Sequence, residues 1–335
     1  MVRHFVANVF GIIKSLGCFS DAARHIASMK TAPDIFDRNA LRDHRDRAAQ
    51  TFGEYDFLIR EIGSRLSERL LDIARTFPFA LDLGARTGGY GPVPGGPGGI
   101  EQVISCELSE RMTRQIETGA LVADPEFLPF AEGLFDLVYS NLELHWINDL
   151  PGCLLQIARS LKPDGLFLAA IFGGNTLNEL RDVLMSAELD MTDGASPRVS
   201  PFAELRDAGA LLQRAGLALP VVDADEITVT YENLFGLLAD LRGMGETNIV
   251  HDRLRTATRR DTFLRAAELY LERYSTEDGR IRATFEVIYL HGWAPHESQP
   301  KALRPGSAKT SLADALGTVE FPTRDSVDPN RTNVD

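Results

Sequence analysis

Residues 81–88, Leu81-Asp82-Leu83-Gly84-Ala85-Arg86-Thr87-Gly88, place a glycine-bearing turn directly after a short apolar run. Glycine lets a backbone turn sharply and come close to a ligand, and a helix N-terminus after it offers N–H donors. Glu107 closes the next apolar run, Val103-Ile104-Ser105-Cys106, where a carboxylate can accept both hydroxyls of a ribose. Asp124 follows in Ala123-Asp124-Pro125-Glu126-Phe127-Leu128-Pro129-Phe130. Taken singly, each acid reads as a strand-end or capping carboxylate. Asp82, Glu107 and Asp124 in this order, across successive strand ends, read as one ligand site.

A second set of groups could act on a substrate. His145 and Trp146 follow the run Phe135-Asp136-Leu137-Val138-Tyr139-Ser140, on the side of a parallel sheet where ligands bind. The competing reading is a tryptophan closing the core with His145 at the surface. Asn141 either positions an amide or guanidinium or caps the next helix. Glu246 and Asn248 lie beyond Gly243-Met244-Gly245. A carboxylate there can pair bidentately with a guanidinium, or it belongs to a helix C-cap and the polar turn after it. Tyr289 and Trp293 alternate with Ile288 and Leu290, which assigns them to one packed face. The scattered Ser, His and Asp residues define no nucleophilic triad, and the seven histidines show no metal-ligand spacing.

These residues need a scaffold that brings strand ends together. Apolar runs at 79–83, 102–106, 135–140 and 166–172 read as buried parallel strands. A helix over 151–160 joins the last two and ends at Lys162-Pro163-Asp164-Gly165, a turn that no helix continues through. Strands alternating with helices at this spacing predict an α/β fold with a doubly wound, mostly parallel sheet. Residues 31–75 read as an N-terminal helical region, and 76–294 as the main domain. Within it, 173–277 is read as a helical insertion facing substrate, with helices at 176–188, 202–215, 231–242 and 261–273, a polar link at 187–198 and a strand at 218–230. Residues 283–293 form the last strand.

Charge and composition narrow the function. With 44% hydrophobic and 25% charged residues the chain is an ordinary globular protein. A net charge of −13 argues against nucleic acid as a partner. The acidic excess serves solubility for the most part, and can also steer a basic substrate. Cys18, Cys106 and Cys153 have no disulfide or metal spacing, so a reducing compartment is expected. Residues 1–30 are basic, with Asp21 as the one acid, and their apolar stretch is too short and interrupted to span a membrane. They read as a misassigned start before Met29 or as an organelle presequence. The tail 295–335 is polar and reads as mostly disordered.

The glycine turn with Glu107 and Asp124 resembles the cofactor site of class I S-adenosylmethionine-dependent methyltransferases, which implies a seven-stranded sheet. It also implies cofactor contacts at Asp82, Gly84, Ala85, Arg86, Gly88, Glu107, Leu108, Asp124, Pro125 and Asn141. A closer resemblance covers the chain from Ile35 to the Gly306-Ser307-Ala308 tail. It is carried by residues 140–151 (Ser-Asn-Leu-Glu-Leu-His-Trp-Ile-Asn-Asp-Leu-Pro), 172–177, 196–202, 240–248, 289–293 and 296–299. These resemble the assembly-factor-5 family of respiratory complex I. That family implies hydroxylation of an arginine in a complex I core subunit, with Asn141, His145 and Glu246 as candidate catalytic residues. It implies a bacterial cytoplasmic protein, or a mitochondrial-matrix one if 1–30 is a presequence, touching the membrane only peripherally through complex I. Two other readings stay open: a methyltransferase on a small molecule or carrier-bound carboxylate, as in the biotin pathway, and a non-catalytic assembly chaperone.

One departure from the methyltransferase pattern bears on the cofactor. Arg86 stands where the loop ordinarily has its middle glycine, and residues 88–99 (Gly-Gly-Tyr-Gly-Pro-Val-Pro-Gly-Gly-Pro-Gly-Gly) replace the first crossover helix. Each glycine costs about 1 kcal/mol in a helix interior and each proline about 3, so coil is expected. Without the helix the dipole at the methionine end is weakened. Arg86 then either pairs with the cofactor carboxylate or obstructs the pocket, and weakened cofactor affinity is the expected result.

Overall fold

The computed structural model describes residues 34–300 except 118, 193 and 203, together with 307 and 310–318. The leader 1–30 and most of the polar tail lie outside the described residues. Beyond His296 the described residues hold one short helix, Leu312–Leu316, capped by Ser311.

Seven strands form one sheet in the order β3-β2-β1-β4-β5-β7-β6. They are β1 (Phe79–Leu83), β2 (Gln102–Glu107), β3 (Ala120–Val122), β4 (Phe135–Asn141), β5 (Leu161–Phe172), β6 (Ala218–Tyr231) and β7 (Ile281–Trp293). The first five run parallel, while β7 is antiparallel to both β5 and β6. Period-two alternation divides the core. Leu166, Leu168, Ala170 and Phe172 of β5 join one buried cluster with Tyr289, whereas Phe167, Ala169 and Ile171 join the other with Ile288 and Leu290. Tyr289 and Trp293 accordingly pack on one face, as their spacing predicts.

Several boundaries differ from the sequence reading. The N-terminal region is two helices, α1 (Arg38–Ala48) and α2 (Phe57–Glu68), separated by a short turn of 3-10 helix at Phe52–Glu54. The turn at 162–165 lies within β5, where Asp164 takes a left-handed φ of 63° and the pairing with β4 shifts register. The helix Asn178–Met191 runs into the stretch read as a polar link and closes at Thr192, whose N–H and hydroxyl both donate to the Glu188 carbonyl at 2.8 Å. Within 173–277 the strand expected at 218–230 is β6, which forms the edge of the sheet itself.

Residues 84–101, between β1 and β2, contain no helix, as the Gly/Pro run predicts. This crossover is nevertheless pinned. Tyr90 packs edge-on against Phe52, and its carbonyl accepts from Asn141 Nδ2 at 3.1 Å and from the Tyr139 hydroxyl at 3.3 Å. Gly91 has no side chain because Asp82 fills the space a Cβ would take.

Candidate functional site

Strand order reverses between β1 and β4, so their carboxyl ends open a crevice at the switch point of the sheet. Three segments supply its lining: Gly84-Ala85-Arg86 after β1, Glu107 at the end of β2, and 141–143 at the end of β4. Helix α1 lies across them. A Cβ at Gly84, whose φ is 81°, would run into Glu143, so the glycine is what lets that side chain settle on the loop.

A buried ionic cluster fills this crevice. Arg45, from α1, is fully buried and donates to Glu143 Oε2 at 2.5 Å and to Glu107 Oε1 at 3.2 Å. Arg86 is 1% exposed and donates to Glu143 Oε2 at 2.7 Å, to the Leu142 carbonyl at 2.7 Å and to Glu246 Oε1 at 2.9 Å. Its φ of 54° is left-handed, a conformation costing roughly 1–2 kcal/mol for a residue with a Cβ. These three charge-assisted bonds, and an N–H bond to Glu107 Oε2 at 3.0 Å, offset that cost.

Glu246 owes its position to a helix terminus. Helix Leu234–Gly243 ends with Gly245 at φ 76°; the Glu246 N–H returns to the Leu241 carbonyl at 2.9 Å and that of Gly245 to Arg242 at 3.2 Å, a Schellman closure. The capping turn and the guanidinium partner are thus the same residue. The other oxygen of Glu246 accepts from Trp146 Nε1 at 2.6 Å and faces His145 Nε2 at 3.5 Å. Asn248 instead ties this turn to 197–200, donating to the Pro197 carbonyl at 2.7 Å.

The charges shape one another. Burial pushes the Glu246 carboxyl up, but His145, Arg86 and Arg45 together bring it down to about 2. Burial acts likewise on Glu143, where Arg45, Arg86 and Arg38 prevail and hold it well below the usual carboxylate range. Asp82, in contrast, is pushed up to about 7 by burial and by Glu107, against the pull of Arg86. Burial lowers His145 below its ordinary value, partly offset by Glu246, so the imidazole is neutral at pH 7. Its ring packs 4.9 Å from Trp146 and 4.8 Å from Phe172, and neither nitrogen has a hydrogen-bond partner.

A Glu246 carboxyl near 2 in the folded chain and near 4.5 unfolded contributes stability that is fully present above pH 4.5 and lost as pH falls toward 2. At 1.36 kcal/mol per unit, the contribution is about 3 kcal/mol. Denaturant unfolding between pH 5 and 2.5 is expected to show a steep acid limb that Glu246→Gln flattens; an identical limb in the variant would remove Glu246 as its source.

Beside the cluster lies a cavity of about 470 Å³, within the usual range for ligand pockets. Trp146, Leu177, Leu180, Leu184, Phe202 and Leu241 give it apolar walls, and Glu246 reaches both this cavity and the buried cluster. Arg47, Arg198, Arg242 and Arg253 also line it. The protein's acidic excess is therefore absent from this wall, and the expected steering of a basic substrate has no counterpart there. His145 and Asn141 do not line it. Asn141 is buried and donates to the Ile59 and Tyr90 carbonyls, joining α2 to the Gly/Pro crossover. Pro125 accepts from Cys153 Sγ, and Leu108 packs in a small cluster with Phe36, Leu41 and Trp146.

Among the described residues no group of three His, Cys, Asp or Glu side chains is placed to hold a metal ion. The cofactor implied by this fold, S-adenosylmethionine, meets a crevice that does not fit it as it stands. Glu107 already accepts from Arg45, from the Arg86 N–H and from the Ser109 N–H at 2.9 Å. Asp124 accepts from Arg38 Nη2 at 2.6 Å, and Arg86 occupies the methionine side. Sequence reasoning missed Arg38, Arg45 and Glu143. The signal for the arginines is their spacing: positions 38, 41 and 45 share one helix face, with apolar Leu41 between two charges.

Residues 81–169 match the family described as a methyltransferase domain. Human "Arginine-hydroxylase NDUFAF5, mitochondrial" is 44% identical over 85% of this chain and 84% of its own length. The zebrafish (Danio rerio) protein of the same name is 42% identical over 90% and 95%. The "Malonyl-[acyl-carrier protein] O-methyltransferase" of Methylovorus sp. is 33% identical over 87% and 97%. Together with the strand order and the crevice at its switch point, these similarities establish that the chain belongs to the methyltransferase-fold family of the arginine-hydroxylase NDUFAF5.

Proposed function

We propose that the chain modifies an arginine of a complex I core subunit during assembly, by family resemblance through hydroxylation, a two-electron oxidation whose oxidant is supplied from outside the chain. One observation carries this reading: Glu143, Glu246 and the Leu142 carbonyl already hold a guanidinium, that of Arg86, next to an apolar cavity that Glu246 borders. In this reading the substrate's methylene stem packs on Leu180, Leu184 and Phe202, and its charged head takes the place of the Arg86 guanidinium on Glu246, which is ionised at all physiological pH. Trp146 holds Glu246 in place, and the neutral imidazole of His145 adds no competing charge. Binding of S-adenosylmethionine is weakened in this chain by Arg86. No described helix is long and apolar enough to cross a membrane, consistent with a peripheral encounter with complex I, in the cytoplasm of a bacterium or in the mitochondrial matrix.

Mass spectrometry of the complex I core subunits, from cells with and without the gene, tests the reading. An arginine heavier by one oxygen that is absent after deletion is expected; unchanged subunits would overturn it.

The arginines of the cavity wall favour a second reading, methyl transfer to a carrier-bound carboxylate. Incubating the protein with S-adenosylmethionine and a malonyl-carrier protein distinguishes the two, since only the second yields a methyl ester.

A further inference from the structure

The cavity that Glu246 borders is lined by Arg47, Arg198, Arg242 and Arg253, and among the described residues Glu246 is the one carboxylate on its wall. Two of these arginines are neutralised from behind. Arg198 donates from Nε to Glu188 at 3.2 Å and from Nη1 to the Thr258 hydroxyl at 2.7 Å, and Arg253 donates to Asp37 at 3.1 Å. Arg47 and Arg242 are exposed, and among the described residues no carboxylate pairs with either.

Both stand in the last turn of a helix, α1 and Leu234–Gly243, where a basic residue offsets the helix dipole. That role would be met wherever the two helices ended. Here the ends converge on one cavity. Gly245 lets them approach, since a Cβ there would meet Arg45 Cγ at 3.4 Å and Ala48 Cβ at 3.6 Å. His44 Nδ1 and the Thr247 hydroxyl then bond across the junction at 2.6 Å. Thr247 directly follows Glu246, and His44 lies one helical turn before Arg47. Burial, and after it the charge of Arg47, lower His44 below its ordinary value. The junction is thus held at positive potential.

We propose that Arg47 and Arg242 form an anion subsite beside Glu246, which takes the carboxylate of an aspartate or glutamate lying within a few residues of the substrate arginine. The subsite presupposes the arginine reading above and narrows it to an arginine with an acidic neighbour.

Charge and spacing support that occupant. A chain of net charge −13 repels an acidic segment at long range, so an unpaired cationic pair at the cavity is what admits one. In an extended segment, side chains two residues apart project to the same side about 7 Å from each other. An arginine seated on Glu246 therefore carries its neighbour along the wall toward the two guanidinium groups, whose planar forks match a carboxylate. The apolar wall excludes water from one side of the pair, which raises its worth above that of a fully exposed ion pair. A carboxylate entering alone, free or carrier-borne, would instead face the ionised Glu246 as a like charge.

Calorimetric titration of the full chain with three acetylated, amidated pentapeptides tests this: Asp-Ala-Arg-Ala-Asp, Asn-Ala-Arg-Ala-Asn and Asp-Ala-Gln-Ala-Asp. The first is expected to bind about fivefold or more tighter than either of the others at low salt. Its margin over the second is expected to shrink at about 0.5 M salt, where surface charges are screened. In the double variant Arg47→Gln, Arg242→Gln that margin is expected to vanish, while the asparagine peptide binds as before. Both positions are exposed, so the variant strands no buried charge. Equal binding of the first two peptides would overturn the subsite and leave the arginine reading standing. Equal binding of the first and third would overturn both, because Glu246 would then not be reading a guanidinium. A margin that survives in the double variant, or no measurable binding of any peptide, would overturn the assignment of the subsite to Arg47 and Arg242.

Discussion

Glu143→Ala is expected to destabilise the fold by about 3–5 kcal/mol, the range found when one partner of a buried ion pair is removed. Glu143 is fully buried and holds both Arg45 and Arg86, so its loss strands two guanidinium groups away from water. Such a loss consumes a large part of a typical domain's 5–15 kcal/mol. Equilibrium urea unfolding above pH 5 measures it, with Glu143→Gln as the milder companion that retains an acceptor. The double variant Arg45→Met, Glu143→Gln removes one charge of each sign and is expected to recover most of the lost stability. The cluster is not an efficient way to stabilise a fold, since apolar residues of equal volume often do as well. Its presence at the crevice fits a role in ligand control. A loss below about 1 kcal/mol in Glu143→Ala would show that water reaches the cluster.

The second large effect concerns activity. Glu246→Gln is expected to slow arginine modification about 10- to 100-fold. A charge-assisted bond to guanidinium is worth roughly 1.5–3 kcal/mol, and every 1.36 kcal/mol is a factor of ten in rate. Time courses of the modified subunit in cells lacking the gene and supplied with either form give the rate, while co-purification of the subunit checks that docking persists. Glu246→Asp, which keeps the charge on a shorter stem, is expected to fall between the two. A rate within twofold of the unmodified chain would mean that Glu246 serves to close its helix and to hold Trp146 and Arg86, and does no more.

Much of the architecture was legible before any coordinates. The apolar runs of β1, β2, β4 and β5 are short and continuous because both faces of a parallel sheet are buried, and such runs can be read locally. The missing crossover helix was equally plain, because glycine and proline act on the backbone at their own positions. Boundaries were less certain where packing overrode local signals. Asn178–Met191 outran its reading: its last turn carries Asp190, which pairs with Arg265 of the helix Arg260–Tyr274, and nothing local announces that partner.

For the site, the residue types in the chain determined that a glycine turn with Glu107 and Asp124 lies at the strand ends, and that Arg86 interrupts it. Whether those acids are free to meet a cofactor was decided by tertiary structure alone. Arg45 and Glu107 are 62 residues apart, and Arg86 and Glu246 are 160 apart. A charged residue carries no periodicity that names its distant partner, because Coulomb attraction acts through space and is strong only where burial removes water. The fold supplies that burial, and it turns an ordinary charged helix into the occupant of the crevice.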